Sequence, residues 1–176
     1  MTSHHTLLTL GAMALLSTVL LNFYRGANES TDDVSRSEDM IQAAMVTSSY
    51  LEAANNLAFD AVTDSVNLRV GDINMLTDPA YLGPESAGED SIHNFDDVDD
   101  YNGFRIDTPI QGTPRVFTTS FRVRYVMPSA IKTASAARTF LKEVMASTWR
   151  TYPPRPVGER VDTLRLSLAI GYYTFD

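Results

Sequence analysis

The chain contains no cysteine, only three histidines and a single tryptophan. Without cysteine it has no disulfide framework and no thiolate metal site. Histidine is nearly as scarce where chemistry would need it. His4 and His5 sit in the N-terminal tail and His93 stands alone, so a catalytic histidine network has little to draw on. The adjacent pair His4-His5 offers too few ligands to make a metal site by itself. Basic residues are also few: 14 Lys and Arg stand against 22 Asp and Glu, a net charge of −8. That excess excludes binding of nucleic acid by neutralising phosphates. There is no glycine-rich phosphate loop, no H-E-x-x-H and no G-x-S-x-G. We find no internal repeat. The expectation is a protein that is not an enzyme.

The most informative absence is of charge at the N-terminus. Leu7–Tyr24, LLTLGAMALLSTVLLNFY, carries none, and the first charged side chain is Arg25. Eighteen residues in a helix span roughly 27 Å, close to the thickness of a hydrocarbon core. Leu7, Leu8, Leu10, Met13, Leu15, Leu16, Val19, Leu20, Leu21 and Phe23 lie on every face of such a helix, with Gly11, Ser17 and Thr18 as small contacts. A helix apolar all round is buried in lipid or among other helices. A cleaved signal peptide would want a basic n-region and a small-x-small site. The leader MTSHHT has no Lys or Arg, and NFYRGANES offers no such site, so the segment is expected to be retained.

What is present beyond Arg25 reads as a polar domain. Apolar residues make up 44% of the chain and charged residues 20%, close to globular averages. The 176 residues suit one domain, or a long helix with a domain of about 100 residues behind it. Charge is segregated: residues 1–113 hold 18 acids and 4 bases, residues 114–176 hold 4 acids and 10 bases. Two such halves attract each other within a subunit or between copies. Equally, Asp sits in loops and Arg decorates strand faces.

Gly26 to Asp33 resembles a helix end followed by N-cap residues, so a break is expected near Gly26. From Val34 to Val66 there is neither Gly nor Pro. Val34, Ile41, Ala44, Met45, Ser48, Leu51, Ala54, Leu57, Ala58 and Val62 recur at steps of three and four, an amphipathic helix. Val66–Val70 is short and alternating. Thr77–Asp90 is rich in turn formers and reads as loop. Phe104–Thr108 alternates as a short strand. Arg115–Met127 is the clearest strand, with Phe117, Thr119, Phe121, Val123, Tyr125 and Met127 on one face and Thr118, Ser120, Arg122 and Arg124 on the other. Pro128–Ala137 reads as a connection with room for a helical turn. Thr139–Trp149 fits helix by propensity but sits between strands; we read it as a strand facing Phe140, Val144, Ala146 and Thr148 inward. Thr151–Gly158 is a proline-rich turn. Thr163–Phe175 closes the chain as a long strand with Leu164, Leu166, Leu168, Ile170 and Tyr172 on one face. The fold class is α+β: an N-terminal helix over 1–66, apolar then amphipathic, packed on an antiparallel β-sheet domain over 67–176.

One constellation holds candidate ligands. Asp96, Asp97, Asp99, Asp100 and Asn102 crowd one loop, and hard oxygen donors suit Ca2+. The EF-hand pattern does not fit, because Gly103 as the sixth position puts Val98 first and Pro109 twelfth. The same residues equally make a solvated turn whose side chains bond nearby N–H groups. Paired carboxylates can do acid–base work, but no partner base is visible. No other cofactor is implied.

The order of parts resembles the type IV pilins and type II secretion pseudopilins: a greasy N-terminal half-helix, a weak point, an amphipathic half-helix, then a sheet domain. Asn94–Gly103, NFDDVDDYNG, is similar to a phrase found after the long helix in minor pilins; Leu57-Ala-Phe-Asp60 and the final strand from Leu164 to Tyr173 also fit. The chain departs from that family in having no basic leader. Gly11 is followed by Ala12, Leu16 stands where a Glu is usual, and no acid precedes Glu29. The resemblance implies a structural subunit of an extracellular pilus-like filament. It would be membrane-inserted before assembly and then at the cell surface, forming a helical homo-oligomer through its N-terminal helices. The alternatives are a single-copy, membrane-anchored envelope or secretion-complex domain, and an anchored hydrolase using the acidic loop.

Overall fold

The helix that begins the chain does not break at Gly26. In the computed structural model, which describes residues 2–154 and 161–173, α1 runs without interruption over Thr2–Asn55. A mid-helix glycine costs only about 1 kcal/mol relative to alanine, and long helix on both sides absorbs that. Thr31, one of the residues that suggested a new N-cap, instead donates its Oγ1 to Ala27 O within the helix at 2.9 Å. Ser37 Oγ does the same to Asp33 O at 2.9 Å. The helix also stops earlier than expected, at Asn55, with a separate short helix α2 at Ala61–Ser65.

By their internal contacts the residues fall into two units, Met1–Met40 and Ile41–Asp176. The first is the N-terminal stretch of α1, whose apolar part is exposed. The second holds the last turns of α1 and the sheet.

Within the second unit, the buried stripe of α1 is Ala43, Val46, Thr47, Leu51 and Ala54, with Tyr50 half-buried. Ile41, Met45 and Ser48, expected on the inner face, point outward. The difference is a rotation of the helix that sets small residues against the sheet. Ala43 and Thr47 allow close approach. Thr47 Oγ1 lies 2.6 Å from Ala43 O and 2.7 Å from Thr148 Oγ1, and Thr148 in turn lies 2.9 Å from Thr119 Oγ1. Buried hydroxyls need partners, and here three threonines from helix and sheet supply each other.

The sheet is antiparallel throughout. Its strands are β1 (Arg105–Pro109), β2 (Val116–Met127), β3 (Ala130–Ala134), β4 (Leu141–Tyr152) and β5 (Thr163–Gly171), in the order β1-β2-β4-β5, with β3 paired to the far end of β2. The long N-terminal helix packed on this sheet makes the α+β fold expected from the sequence.

Alternation holds in β5, where Leu164, Leu166, Leu168 and Ile170 are the less exposed positions. It holds in β2 until the strand end, where a register irregularity between Val126 and Met127 buries Val126 and exposes Met127. Thr118 faces away from the core yet is buried, bonded to Asp107 Oδ1 at 2.5 Å and lying 3.0 Å from Thr151 Oγ1. β3 replaces the expected connection; all its residues are exposed, so it carries no burial signal to read. Val66–Arg69 forms no strand and leads into a 3-10 helix at Val70–Met75. β4 extends through Tyr152, into what reads as the proline-rich turn. The rest of that turn from Arg155, and Thr174–Phe175 of the last strand, lie outside the described residues.

The core gathers Leu51, Ala54 and Phe59 with Phe121, Val123, Tyr125, Val144, Ala146 and Ile170. Phe95, Tyr101, Phe104 and Phe121 form a chain of edge-on and stacked rings with centroids 4.9 to 6.4 Å apart. Those rings seat the acidic loop on β2.

Candidate functional site

Two features stand apart from ordinary packing, one in each unit. The first is the apolar surface of α1. All ten large side chains named above are exposed, from 47% at Leu20 to 71% at Leu8 and Phe23. The helix is long and apolar enough to cross a membrane. Two threonine hydroxyls in this stretch are satisfied within the helix. Thr18 Oγ1 donates to Ala14 O at 2.8 Å, and Thr9 Oγ1 lies 3.0 Å from His5 O and 2.9 Å from Thr6 O. Such back-bonding suits a polar side chain that leaves water.

The second feature is a buried charge cluster under the loop NFDDVDDYNG. The loop is pinned from two sides. Against the segment after α1, Ala58 N donates to Asp96 O at 3.3 Å and Val98 N to Ala58 O at 3.0 Å. Against β2, Gly103 N donates to Phe121 O at 3.2 Å, Phe121 N to Phe104 O at 3.0 Å, and Val123 N to Asn102 Oδ1 at 3.0 Å. Gly103 turns the chain between these anchors at φ +81°, a conformation that favours glycine. A single 3-10 turn, Asp99–Tyr101, sets the acids side by side.

The result is four carboxylates, Asp60, Asp97, Asp99 and Asp100, each with no accessible surface. Lys142 joins them, equally buried. Its Nζ donates to Phe59 O at 2.6 Å and to Asp60 Oδ2 at 3.0 Å, and makes a short bond to Asp99 Oδ1. The ammonium also lies 4.7 Å from the Phe59 ring centre and 5.4 Å from that of Tyr125. Asp60 is fully engaged: besides Lys142 it accepts from Thr77 N at 3.0 Å, Thr77 Oγ1 at 3.2 Å and Tyr125 Oη at 3.2 Å.

The acids of the loop are only half engaged. Asp97 Oδ1 accepts from Asp99 N at 2.7 Å and Asp100 N at 3.4 Å; Asp100 Oδ2 accepts from Asp96 N at 3.0 Å and Asp97 N at 3.3 Å. Asp97 Oδ2, Asp99 Oδ2 and Asp100 Oδ1 are buried with no hydrogen-bond partner. Burial pushes the Asp97 carboxyl up to about 7, with the Asp99 charge adding and Lys142 opposing. Burial lifts Asp99 as well, against the pull of Lys142. Asp100 is raised to about 6 by burial, opposed by the N–H groups of Asp96 and Asp97.

A facing loop brings two more acids. Oxygens of Glu85, Asp97 and Asp99 lie within 4.8 Å of one another, as do oxygens of Glu85, Glu89 and Asp100. Glu85 is raised to about 7, first by desolvation of its carboxyl and then by the charges of Asp97 and Asp100. Glu89 is lowered, because Ser86 donates to it through its hydroxyl at 2.7 Å and its N–H at 3.0 Å. Asn102 Nδ2 ties this loop to the first by donating to Leu82 O at 2.8 Å.

Of the candidate ligands in the sequence, the structure gathers Asp97, Asp99 and Asp100. Asp96 is exposed and belongs to neither carboxylate group. Both polar atoms of the Asn102 side chain are committed to backbone. Sequence reasoning missed Lys142, Glu85 and Glu89. Lys142 had a signal: it shares the inward parity of Phe140 and Val144, and a lysine on an apolar face needs a carboxylate. Glu85 and Glu89 had none, since a loop folding back on another leaves no periodic trace.

The segregated charge closes partly on itself. Lys142 with Asp60 and Asp99, and Arg138 with Asp78 at 3.1 Å, join the acidic and basic portions of one chain. Protein-family models, curated proteins and solved structures give no match to this chain.

Proposed function

We propose that the protein is a structural subunit of a pilus-like filament, held in the membrane before assembly and packed through its N-terminal helix afterwards. The observation that carries this reading is the all-round exposure of large apolar side chains between Leu7 and Phe23. An amphipathic helix would need one apolar partner surface; this one needs apolar surroundings on every side. Each such side chain removed from water contributes roughly 1.5–3 kcal/mol, and lipid or a bundle of like helices supplies that burial. The outward-facing Val34, Ile41 and Met45 extend apolar contact beyond the spanning stretch, where a bundle continues and a bilayer does not. The resemblance of the helix-then-sheet order to pilins points the same way.

Extracellular placement and the absence of catalysis belong to the same proposal. A single-copy membrane anchor for an envelope or secretion-complex domain is the competing reading, favoured by a helix of spanning length. Electron microscopy of cell-surface material, together with purified full-length chain after detergent removal, separates them. Filaments are the expected outcome. A soluble monomer without detergent, or vesicles carrying isolated copies only, overturns the proposal.

A further inference from the structure

We propose that Asp97 and Asp99, with Glu85 from the facing loop, form a binding site for a hard divalent cation of the Ca2+ type. Three observations carry this. Asp97, Asp99 and Asp100 are each wholly buried, and each keeps one carboxylate oxygen with no hydrogen-bond partner. Buried charges are ordinarily paired or bound to metal. Lys142 brings one positive charge, and Asp60 already shares it with Asp99. The unpartnered oxygens therefore call for a second cation.

Geometry is the second observation. The oxygens from Glu85, Asp97 and Asp99 lie within 4.8 Å of one another. Two ligands on opposite sides of a Ca2+ ion at about 2.4 Å stand about 4.8 Å apart, so none of these oxygens is farther from another than two ligands of one ion can be. The backbone N–H groups of Asp99 and Asp100 bind Asp97 Oδ1 and fix that side chain, while Asp97 Oδ2 keeps no hydrogen-bond partner. Glu85 is exposed, and gives the ion a way in from solvent.

Donor chemistry is the third. Every ligand is a carboxylate oxygen; there is no cysteine in the chain, and His93 is exposed and outside both groups. Zn2+ prefers nitrogen and sulfur. Mg2+ favours a strict octahedron that retains several waters, whereas Ca2+ accepts many carboxylate oxygens in an irregular shell. Loops, rather than a helix face, provide such a shell.

The site is independent of filament assembly, and its test uses the full-length chain in detergent micelles, stripped with EDTA. Titration with CaCl2 is followed by calorimetry and by thermal unfolding. The expected result is one Ca2+ per chain, a rise in Tm of about 5 °C or more at saturation, and affinity for Mg2+ at least tenfold weaker. Glu85→Gln and Asp97→Asn weaken Ca2+ binding by about 10- to 100-fold, while Asp96→Asn leaves it unchanged. Glu85 is exposed, so its variant reports even if Asp97→Asn does not fold. Absence of binding heat and of any Tm shift at millimolar Ca2+ overturns the proposal. So does wild-type affinity in Glu85→Gln, and equal affinity for Mg2+ overturns the choice of ion.

Discussion

Lys142 on β4 and Asp60, just beyond α1, meet at 3.0 Å with both side chains wholly buried. This contact ties the end of the long helix to the middle of the sheet. A buried ion pair contributes little net stability when formed, but removing one partner strands the other. Lys142→Met would leave Asp60 and Asp99 without their cation and Phe59 O without its donor. The expected loss is about 3–5 kcal/mol, measured by denaturant unfolding of the full-length chain. A loss under about 1 kcal/mol would show that the pair is not held as described.

Asn102 acts as a clamp rather than a ligand. Its amide nitrogen holds Leu82 O and its oxygen accepts from Val123 N, so one side chain joins the Glu85 loop, the acidic loop and β2. Asn102→Ala leaves both backbone groups unpaired, at an expected cost of about 1–3 kcal/mol. Because Glu85 would no longer be held against Asp97, Ca2+ affinity should fall as well, although Asn102 touches no ion. Unchanged unfolding and unchanged Ca2+ titration together would remove this role.

The sequence makes the sheet more legible than the site, for a physical reason. Strand parity is local: Phe117, Phe121 and Val123, or Leu164, Leu166 and Leu168, announce an inner face within one segment. The rotation of α1 was not local. Ile41 and Met45 are better apolar candidates than Ala43 and Thr47, yet the sheet accepts the smaller pair because closeness and the Thr47–Thr148 contact favour it. β3 went unread because its residues are uniformly exposed. Three acids of the carboxylate cluster, Asp97, Asp99 and Asp100, are visible in FDDVDD. Glu85 and Glu89 come from a loop that the Asn102 clamp and the fold of the chain bring near.

The raised carboxyls set a pH dependence for the cation-free protein. Asp97 and Glu85 both move from the ordinary carboxylate range up to about 7. A group that binds its proton more tightly folded than unfolded makes stability fall as pH rises between the two values. The EDTA-treated chain should therefore lose Tm as pH rises from about 5.5 to about 7, with the fall levelling off above about pH 7. Added Ca2+ should reverse the trend, since deprotonated oxygens bind the ion. A melt series across pH 5.5–8.5, with and without Ca2+, checks the sign of both slopes. A cation-free Tm that rises with pH over this range would contradict the burial of these carboxyls.

Leu15 separates assembly from folding. It lies in the Met1–Met40 unit, 70% exposed, with its apolar neighbours Leu8, Leu16 and Val19 also open. A carboxylate near the middle of a spanning helix costs about 2.5–3.5 kcal/mol on insertion, and a comparable burden falls on every copy in a packed bundle. Leu15→Asp should abolish filaments and weaken membrane retention. The sheet domain should keep its fold, because its core is built from residues beyond Ile41. Near-ultraviolet circular dichroism of the variant reports that fold through the single tryptophan, Trp149, and electron microscopy reports assembly. Filaments at wild-type abundance would mean that this surface is not the assembly face. Loss of filaments with a collapsed near-ultraviolet signal would instead show that the apolar stretch supports the domain itself, which its exposure in the folded chain argues against.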